Sequence, residues 1–128
     1  MHREWTVLGR EGFEELRIGE DREVVRARLG HYRTLPMTPG RDQYLDGVIV
    51  SVEYDDHGAA RAIEVSSPCA PRLRGVALIG RSVAEVAADL RSENLTLVED
   101  RDGAIIEGLG VELYVPVDLI EAVSVEAP

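Results

Sequence analysis

The sequence predicts an α+β fold in which a unit of one helix and about three antiparallel strands occurs twice in tandem. The first observation is a recurrence, because Ile18-Gly19 returns later in the chain as Ile79-Gly80. Second, each of these pairs precedes a stretch whose apolar residues have helical spacing. Third, segments that alternate apolar and polar residues follow each helical stretch. We therefore expect helices packed on one face of a mostly antiparallel sheet.

The length and the recurrence together indicate one domain built from two similar units. A chain of 128 residues suits a single domain over 1–128. The repeats cover about 16–66 and 77–127, and residues 67–75 link them. Two prolines in this linker should keep its backbone extended.

The first unit is preceded by a short strand and begins with a capped helix. Trp5 to Leu8 is predicted to be the opening strand, and residues 9–12 form a turn. Asp21 is a typical N-cap, and the helical spacing of apolar residues continues to Leu29. Gly30 is then well placed to end the helix.

A long loop and three strands are predicted for the rest of the first unit, the first of them opening at Tyr44 and Leu45. Residues 31–42 include two prolines and a glycine and are predicted to be irregular. After a turn at 46–47, residues 48–54 alternate strictly, which is typical of a half-buried strand. A hairpin turn at 55–58 leads to the return strand over 62–65.

The second unit begins with the strongest local helix signal in the chain. Ser82 and Glu85 have the spacing of a capping box, and the helix continues to Leu90. The strands that follow are predicted at 94–98, 104–107, 109–115 and 119–125, with turns at 100–103 and 116–118.

One continuous sheet of six to eight strands is expected, rather than two sheets packed together. The predicted strands each have a polar side, which suits solvent or a partner better than a second apolar layer. An exposed Tyr114 on this side would be a typical interface anchor, unless the 31–42 loop covers it. The outward side carries Ile49, Ser51, Glu53, Arg61 and Glu64 in the first unit, and Gly110, Glu112 and Tyr114 in the second.

The composition excludes several kinds of chemistry. The chain has no lysine, so all 14 basic residues are arginine. Schiff-base enzymes, phosphate-loop hydrolases and kinases all need a lysine and are therefore excluded. A single cysteine can form neither an intramolecular disulfide nor a zinc site built on several thiolates. We predict no cofactor.

The net charge of −10 favours a basic protein partner. Both halves of the chain are acidic, so the charge is not confined to a tail. Such a field repels nucleic acids and anionic membranes. No apolar run approaches the ~20 residues that span a bilayer. The N-terminus lacks an apolar signal segment, so we expect a cytoplasmic protein.

Two groups of residues could carry chemistry, and each also has a simpler interpretation. Asp55, Asp56 and His57 could ligate a metal, but aspartate and glycine are also what a hairpin turn requires. Cys69 could pair with His31 or His57 as nucleophile and base, or it could be an ordinary cysteine of the linker. The simpler interpretation is favoured for both, so no catalytic residue and no metal site is predicted. The candidate binding residues are Ile49, Glu53, Asp55, Asp56, His57, Glu112 and Tyr114.

The two predicted helix starts resemble those of known binding proteins. The pattern is carried by Gly19, Asp21, Val25 and Leu29, and again by Gly80, Ser82, Val86 and Leu90. It resembles duplicated helix-plus-sheet proteins of the β-lactamase-inhibitor type and immunity proteins of bacterial toxin systems. The resemblance implies protein binding without catalysis, through an acidic or aromatic face of the sheet.

Three functional hypotheses follow. The first is a non-enzymatic acidic protein-binding module, such as an inhibitor or immunity protein for a basic partner. An alternative is a small-molecule- or metal-binding domain, or a minor enzyme, with a pocket near the 31–42 loop. Its polar groups would be those of His31, Asp55, Asp56, His57 and Cys69. A third possibility is a structural homo-oligomer that uses an unpaired sheet edge at Leu119–Val125 or Trp5–Leu8.

Overall fold

Strands dominate the computed structural model, which describes residues 3–128. Strand accounts for 47% of the chain and helix for 13%. The first half contains β1 (Glu4–Gly9), β2 (Gly12–Phe13), α1 (Arg22–Leu29), β3 (Tyr32–Leu35), β4 (Thr38–Tyr44), β5 (Ile49–Tyr54) and β6 (Ala60–Ser66). The second contains β7 (Ala70–Leu73), β8 (Val76–Ala77), α2 (Val83–Arg91), β9 (Leu97–Glu99), β10 (Gly103–Ile106), β11 (Val111–Tyr114) and β12 (Ala122–Glu126).

The main sheet has eight strands in the order β3-β4-β5-β6-β12-β11-β10-β9. Every neighbouring pair is antiparallel, and the two four-stranded halves meet where β6 pairs with β12. The predicted α+β tandem repeat, with helices packed on one face of the sheet, is therefore wrong. The two helices are short, and their buried side chains are only Val25 and Leu29 in α1 and Val86 and Leu90 in α2.

One reason for this error is the segment 31–42, which is not a loop. It forms the hairpin of β3 and β4, with Thr34 opposite Asp42 and Leu35 opposite Thr38. The register shifts between these two pairs, and Pro39 lies within the shift. A proline is tolerated at such an irregularity because no ladder hydrogen bond requires its missing N–H.

A second sheet of four strands, in the order β2-β1-β7-β8, also departs from the prediction. Its centre is a parallel pairing in which Trp5 lies opposite Pro71. Residues 70–73, predicted to be linker, thus form strand β7. The predicted strand at Trp5 to Leu8 is confirmed as β1.

Both helix starts are confirmed. The Asp21 carboxylate accepts hydrogen bonds from the backbone N–H groups of Glu23 and Val24, at 3.1 and 3.4 Å. The Ser82 hydroxyl accepts from the N–H of Glu85 at 3.2 Å and donates to the Glu85 carboxylate at 3.0 Å. These bonds satisfy N–H groups that have no partner within the helix.

The two sheet edges proposed for homo-oligomerisation are not free. Strand β12, which covers most of the Leu119–Val125 segment, is paired with β6 and β11. Strand β1 is paired with β2 and β7. Each of these strands therefore has a ladder partner on both sides and is not an edge of its sheet.

One apolar core joins both sheets and both helices, and it contains a single buried carboxylate among the described residues, that of Asp42. Arg22 donates to it at 2.7 and 3.0 Å, and Arg26 at 2.8 and 3.1 Å. Thr34 and Tyr44 donate to it at 2.8 and 3.3 Å. Burial alone would raise the pKa of Asp42, but these donors hold the pKa well below its usual range. The network ties α1 to strands β3 and β4.

Candidate protein-binding face

One side of the eight-stranded sheet faces solvent, and we call this side the open face. Strands β5 and β11 alternate between buried and more exposed residues, as predicted, so their polar side chains point away from the core. The strand register aligns these side chains in a row across the sheet. This central row runs Arg33, Gln43, Ser51, Glu64, Ser124, Glu112, Ile105 and Val98.

Carboxylates collect where the two halves of the sheet meet. The acidic patch consists of Glu64, Asp100, Asp102, Glu112 and Glu126, which line two shallow depressions of about 210 and 200 Å³, the second of which Arg41 also lines. Within residues 3–128, none of these five forms an ion pair with an arginine or histidine. Glu64 and Glu112 lie two strands apart, about 10 Å, with Ser124 between them. A single cationic group between them could interact with both.

A larger depression of about 570 Å³ adjoins the acidic patch, and we call it the apolar groove. Its apolar lining includes Ile79, Tyr114, Val117 and Leu119. Three of these side chains are unusually exposed for their type, at 52% for Tyr114, 80% for Val117 and 47% for Leu119. Exposed apolar side chains that cluster in this way are a common mark of a binding surface.

Backbone hydrogen bonds hold the rim of the apolar groove in place. The connection between β11 and β12 carries Val117 and Leu119. The N–H of Gly80 donates to the Ile120 carbonyl at 2.8 Å, and the N–H of Ile120 donates to the Arg81 carbonyl at 2.9 Å. The rim is thus tied to the residues just before α2, so the groove is formed in advance of any ligand.

The acidic patch and the apolar groove form one continuous surface. Tyr114 and Glu64 line both the groove and the neighbouring acidic depression. Tyr114 lies opposite Ala122 on β12, and Ala122 lies opposite Ser66 on β6. An aromatic ring therefore stands between an apolar surface on one side and unpaired carboxylates on the other.

Four of the predicted binding residues lie on the open face. Glu112 and Tyr114 belong to the surface just described, and Ile49 lies opposite Ser66, beside it. Glu53 is also on this face, but Arg41 and Arg61 approach its carboxylate at 3.7 and 3.3 Å and neutralise it. Its charge is therefore not available to a partner.

The other three predicted residues lie elsewhere. Asp55, Asp56 and His57 form the turn after β5, at the far end of that strand from Ile49, a distance of about 20 Å. Asp55 accepts from the N–H groups of His57 and Ala59 at 2.9 and 3.0 Å, and these bonds lower its pKa. Across residues 3–128, no three His, Cys, Asp or Glu side chains are grouped to hold a metal ion.

The alternative pocket near residues 31–42 is not assembled as expected. His31 lines a shallow depression of about 350 Å³, together with Tyr32, Arg33, Leu45 and Asp46. The carboxylates of the 55–58 turn and the Cys69 thiol do not contribute to it. Cys69 is buried, and its thiol donates to the Arg3 carbonyl at 3.4 Å rather than to a histidine.

Cys69 should be unreactive in the folded protein. Burial, with a smaller effect from Glu15, raises the pKa of this thiol to about 12, and the thiolate is the reactive form. We expect iodoacetamide to leave Cys69 unmodified at pH 8 and to modify it fully in guanidinium chloride, as followed by intact mass. Glutathione in the same native buffer is the control for reagent activity. Rapid labelling of the folded protein would show that the thiol is accessible.

Sequence reasoning missed much of this surface. Glu64 was predicted to face outward, but its position beside Ser124 and Glu112 depends on the β6–β12 pairing. The sequence predicts only a hairpin turn at Val117, whereas in the structure this valine is 80% exposed, which is a common mark of a binding surface. No local pattern indicates which turn borders a groove.

No protein-family model, curated protein or solved structure matches the chain. In the part of the chain that the structure describes, neither helix has the length and apolar character needed to cross a membrane.

Proposed function

We propose that this protein is a non-enzymatic binding module that holds a basic segment of a partner protein on its open face. The observation that supports the proposal most directly is the pair Glu64 and Glu112, at the centre of the sheet and without arginine partners within residues 3–128. An inhibitor or immunity protein that covers a basic site on its partner would use such a face. We therefore propose an inhibitor or immunity role for this protein.

Charge favours a cationic protein over other partners. The net charge of −10 gives the whole molecule a negative field, and the acidic patch concentrates part of it on one surface. Such a field accelerates association with a basic protein and opposes the approach of nucleic acids and anionic membranes. Tyr114 adds an aromatic anchor of the type enriched at interfaces.

The test compares Glu64→Gln/Glu112→Gln with wild type, using a fluorescent peptide of alternating arginine and serine as the probe. We expect the double variant to bind about tenfold more weakly at low salt, because each lost carboxylate interaction contributes up to about 1 kcal/mol. Wild-type affinity should also fall as salt is raised from 50 to 300 mM, since ions screen exposed charges over about 10 Å.

A matched control separates the local effect from the change in net charge. Glu11→Gln/Glu14→Gln removes the same number of charges near the β1–β2 hairpin, and neither residue lines the open-face depressions. We expect this control to weaken binding less than twofold. Equal losses in both double variants, or binding that ignores salt, would contradict the proposal.

A further inference from the structure

We infer that the apolar groove and the acidic patch bind the same segment, one in which a large apolar side chain lies two residues from an arginine or lysine. The inference rests on the proposed function, because it specifies the kind of basic segment that the open face recognises. It turns on one juxtaposition, in which the groove of about 570 Å³ adjoins unpaired carboxylates across Tyr114 and Glu64.

The spacing of residues along the strands of the open face determines the sequence pattern that a bound segment needs. Tyr114 and Glu112 are second neighbours on β11 and point to the same side, as Ser66 and Glu64 do on β6. Second neighbours in a strand are about 6.8 Å apart. An extended segment lying along these strands has the same repeat. It can therefore place one side chain against Tyr114 while its second neighbour lies between Glu64 and Glu112.

The groove has a large apolar part that suits an apolar side chain, although Glu64, Asp118 and Glu121 also line it. Its volume is within the range of about 300–1,000 Å³ typical of ligand sites and exceeds that of any single side chain. Val117 and Leu119 border it without a polar group of their own to offer. Covering these exposed side chains removes apolar surface from water, which favours binding.

Charge complementarity decides between possible occupants. A second copy of this chain would bring another net charge of −10 and the same acidic patch, so its approach to this face is opposed. A neutral apolar ligand would leave the neighbouring carboxylates unused. A basic segment with an apolar side chain satisfies both halves of the surface.

Three nine-residue peptides test the inference by fluorescence anisotropy with the 128-residue protein. The first has a central tryptophan with arginine at both second-neighbour positions and serine elsewhere. The second replaces the tryptophan with serine, and the third replaces both arginines with glutamine. We expect the first peptide to bind about tenfold tighter than either of the others, since burial of a large apolar side chain, or two carboxylate–arginine interactions, are each worth about that factor.

Protein variants locate the effect. Val117→Ser/Leu119→Ser should reduce the affinity of the tryptophan–arginine peptide to that of the serine–arginine peptide, and leave the latter unchanged. Both positions are exposed, so the substitutions should not prevent folding. Met37→Ser, at a side chain that is 92% exposed in the β3–β4 turn, is the matched control and should change neither affinity.

The outcomes distinguish this inference from the proposed function. If both arginine peptides bind equally and remain sensitive to Glu64→Gln/Glu112→Gln, the groove is not used and only this inference is wrong. If the peptide with tryptophan and glutamine binds as tightly as the peptide with tryptophan and arginine, the acidic patch is not used and this inference is also wrong. If no peptide responds to salt or to the glutamate variants, the proposed function itself fails. A dimer in sedimentation that Val117→Ser/Leu119→Ser dissociates would show that a second copy occupies the groove.

Discussion

Replacing Asp42 with alanine should lower the free energy of unfolding by about 3 kcal/mol, because it removes the shared acceptor of a buried ion-pair network. Two guanidinium groups, those of Arg22 and Arg26, would lose bidentate partners at 2.7–3.1 Å. The Tyr44 hydroxyl would keep its hydrogen bond to Tyr54 at 2.7 Å but lose its other partner. Urea unfolding at pH 7, followed by circular dichroism, measures the loss.

The contribution of Asp42 to the free energy of unfolding should decrease as the pH is lowered. The folded pKa of Asp42 lies well below its usual range, so its stabilisation is fully present above the unfolded pKa of about 3.9. That stabilisation is lost as the pH falls towards the folded pKa. The gap in unfolding free energy between wild type and Asp42→Asn should therefore be largest near pH 7 and smaller at pH 3.

The control for both measurements is Asp56→Asn, in the exposed turn after β5. We expect it to change the unfolding free energy by less than about 0.5 kcal/mol. If Asp42→Ala were no more destabilising than this control, the buried network would have no net effect on stability. A gap that did not narrow at low pH would mean that Asp42 is not preferentially ionised in the folded state.

Phe13→Ala should destabilise the protein by about 3–5 kcal/mol, because it opens a cavity in the core beside strand β1. Phe13 is fully buried, and its ring meets that of Trp5 edge-on with the centroids 5.7 Å apart. Trp5 is the only tryptophan in the chain, so its fluorescence reports directly on this site. We expect a lower urea midpoint and a red-shifted emission in the native state.

This second measurement tests whether the small sheet is part of the cooperative unit. Met37→Ala, at a position that is 92% exposed, serves as the control and should shift stability by less than about 0.5 kcal/mol. Fluorescence and circular dichroism should give the same midpoint in wild type. A separate early transition seen only by Trp5 fluorescence would show that the four-stranded sheet unfolds independently.

The features that could be predicted from the sequence are those determined by near neighbours. The N-caps Asp21 and Ser82 act within three residues, so their sequence signatures sufficed. Alternation correctly placed Glu112 and Tyr114 on the outward side of β11. The prediction of the fold class was wrong partly because of residues 31–42. Pro39 indicates a loop locally, but the structure accommodates it at a shift in strand register.

The surface as a whole could not be predicted, because it depends on contacts between distant parts of the chain. Glu64 and Glu112 become neighbours only through β12, which pairs with β6 on one side and β11 on the other. Neither pairing has a signature in local composition. The turn at 55–58 has the stronger local signal, since its charged residues are adjacent in sequence, although in the structure the Asp55 carboxylate accepts hydrogen bonds from the turn's own N–H groups.

The position of β12 in the middle of the large sheet has a consequence for biosynthesis. A ribosome releases β6 long before β12, which is its neighbour in the finished sheet. Until β12 is made, β6 presents an unpaired row of backbone N–H and C=O groups, a surface on which nascent chains aggregate. Folding of the whole sheet must also await this late strand, so assembly should be slow for a chain of this size.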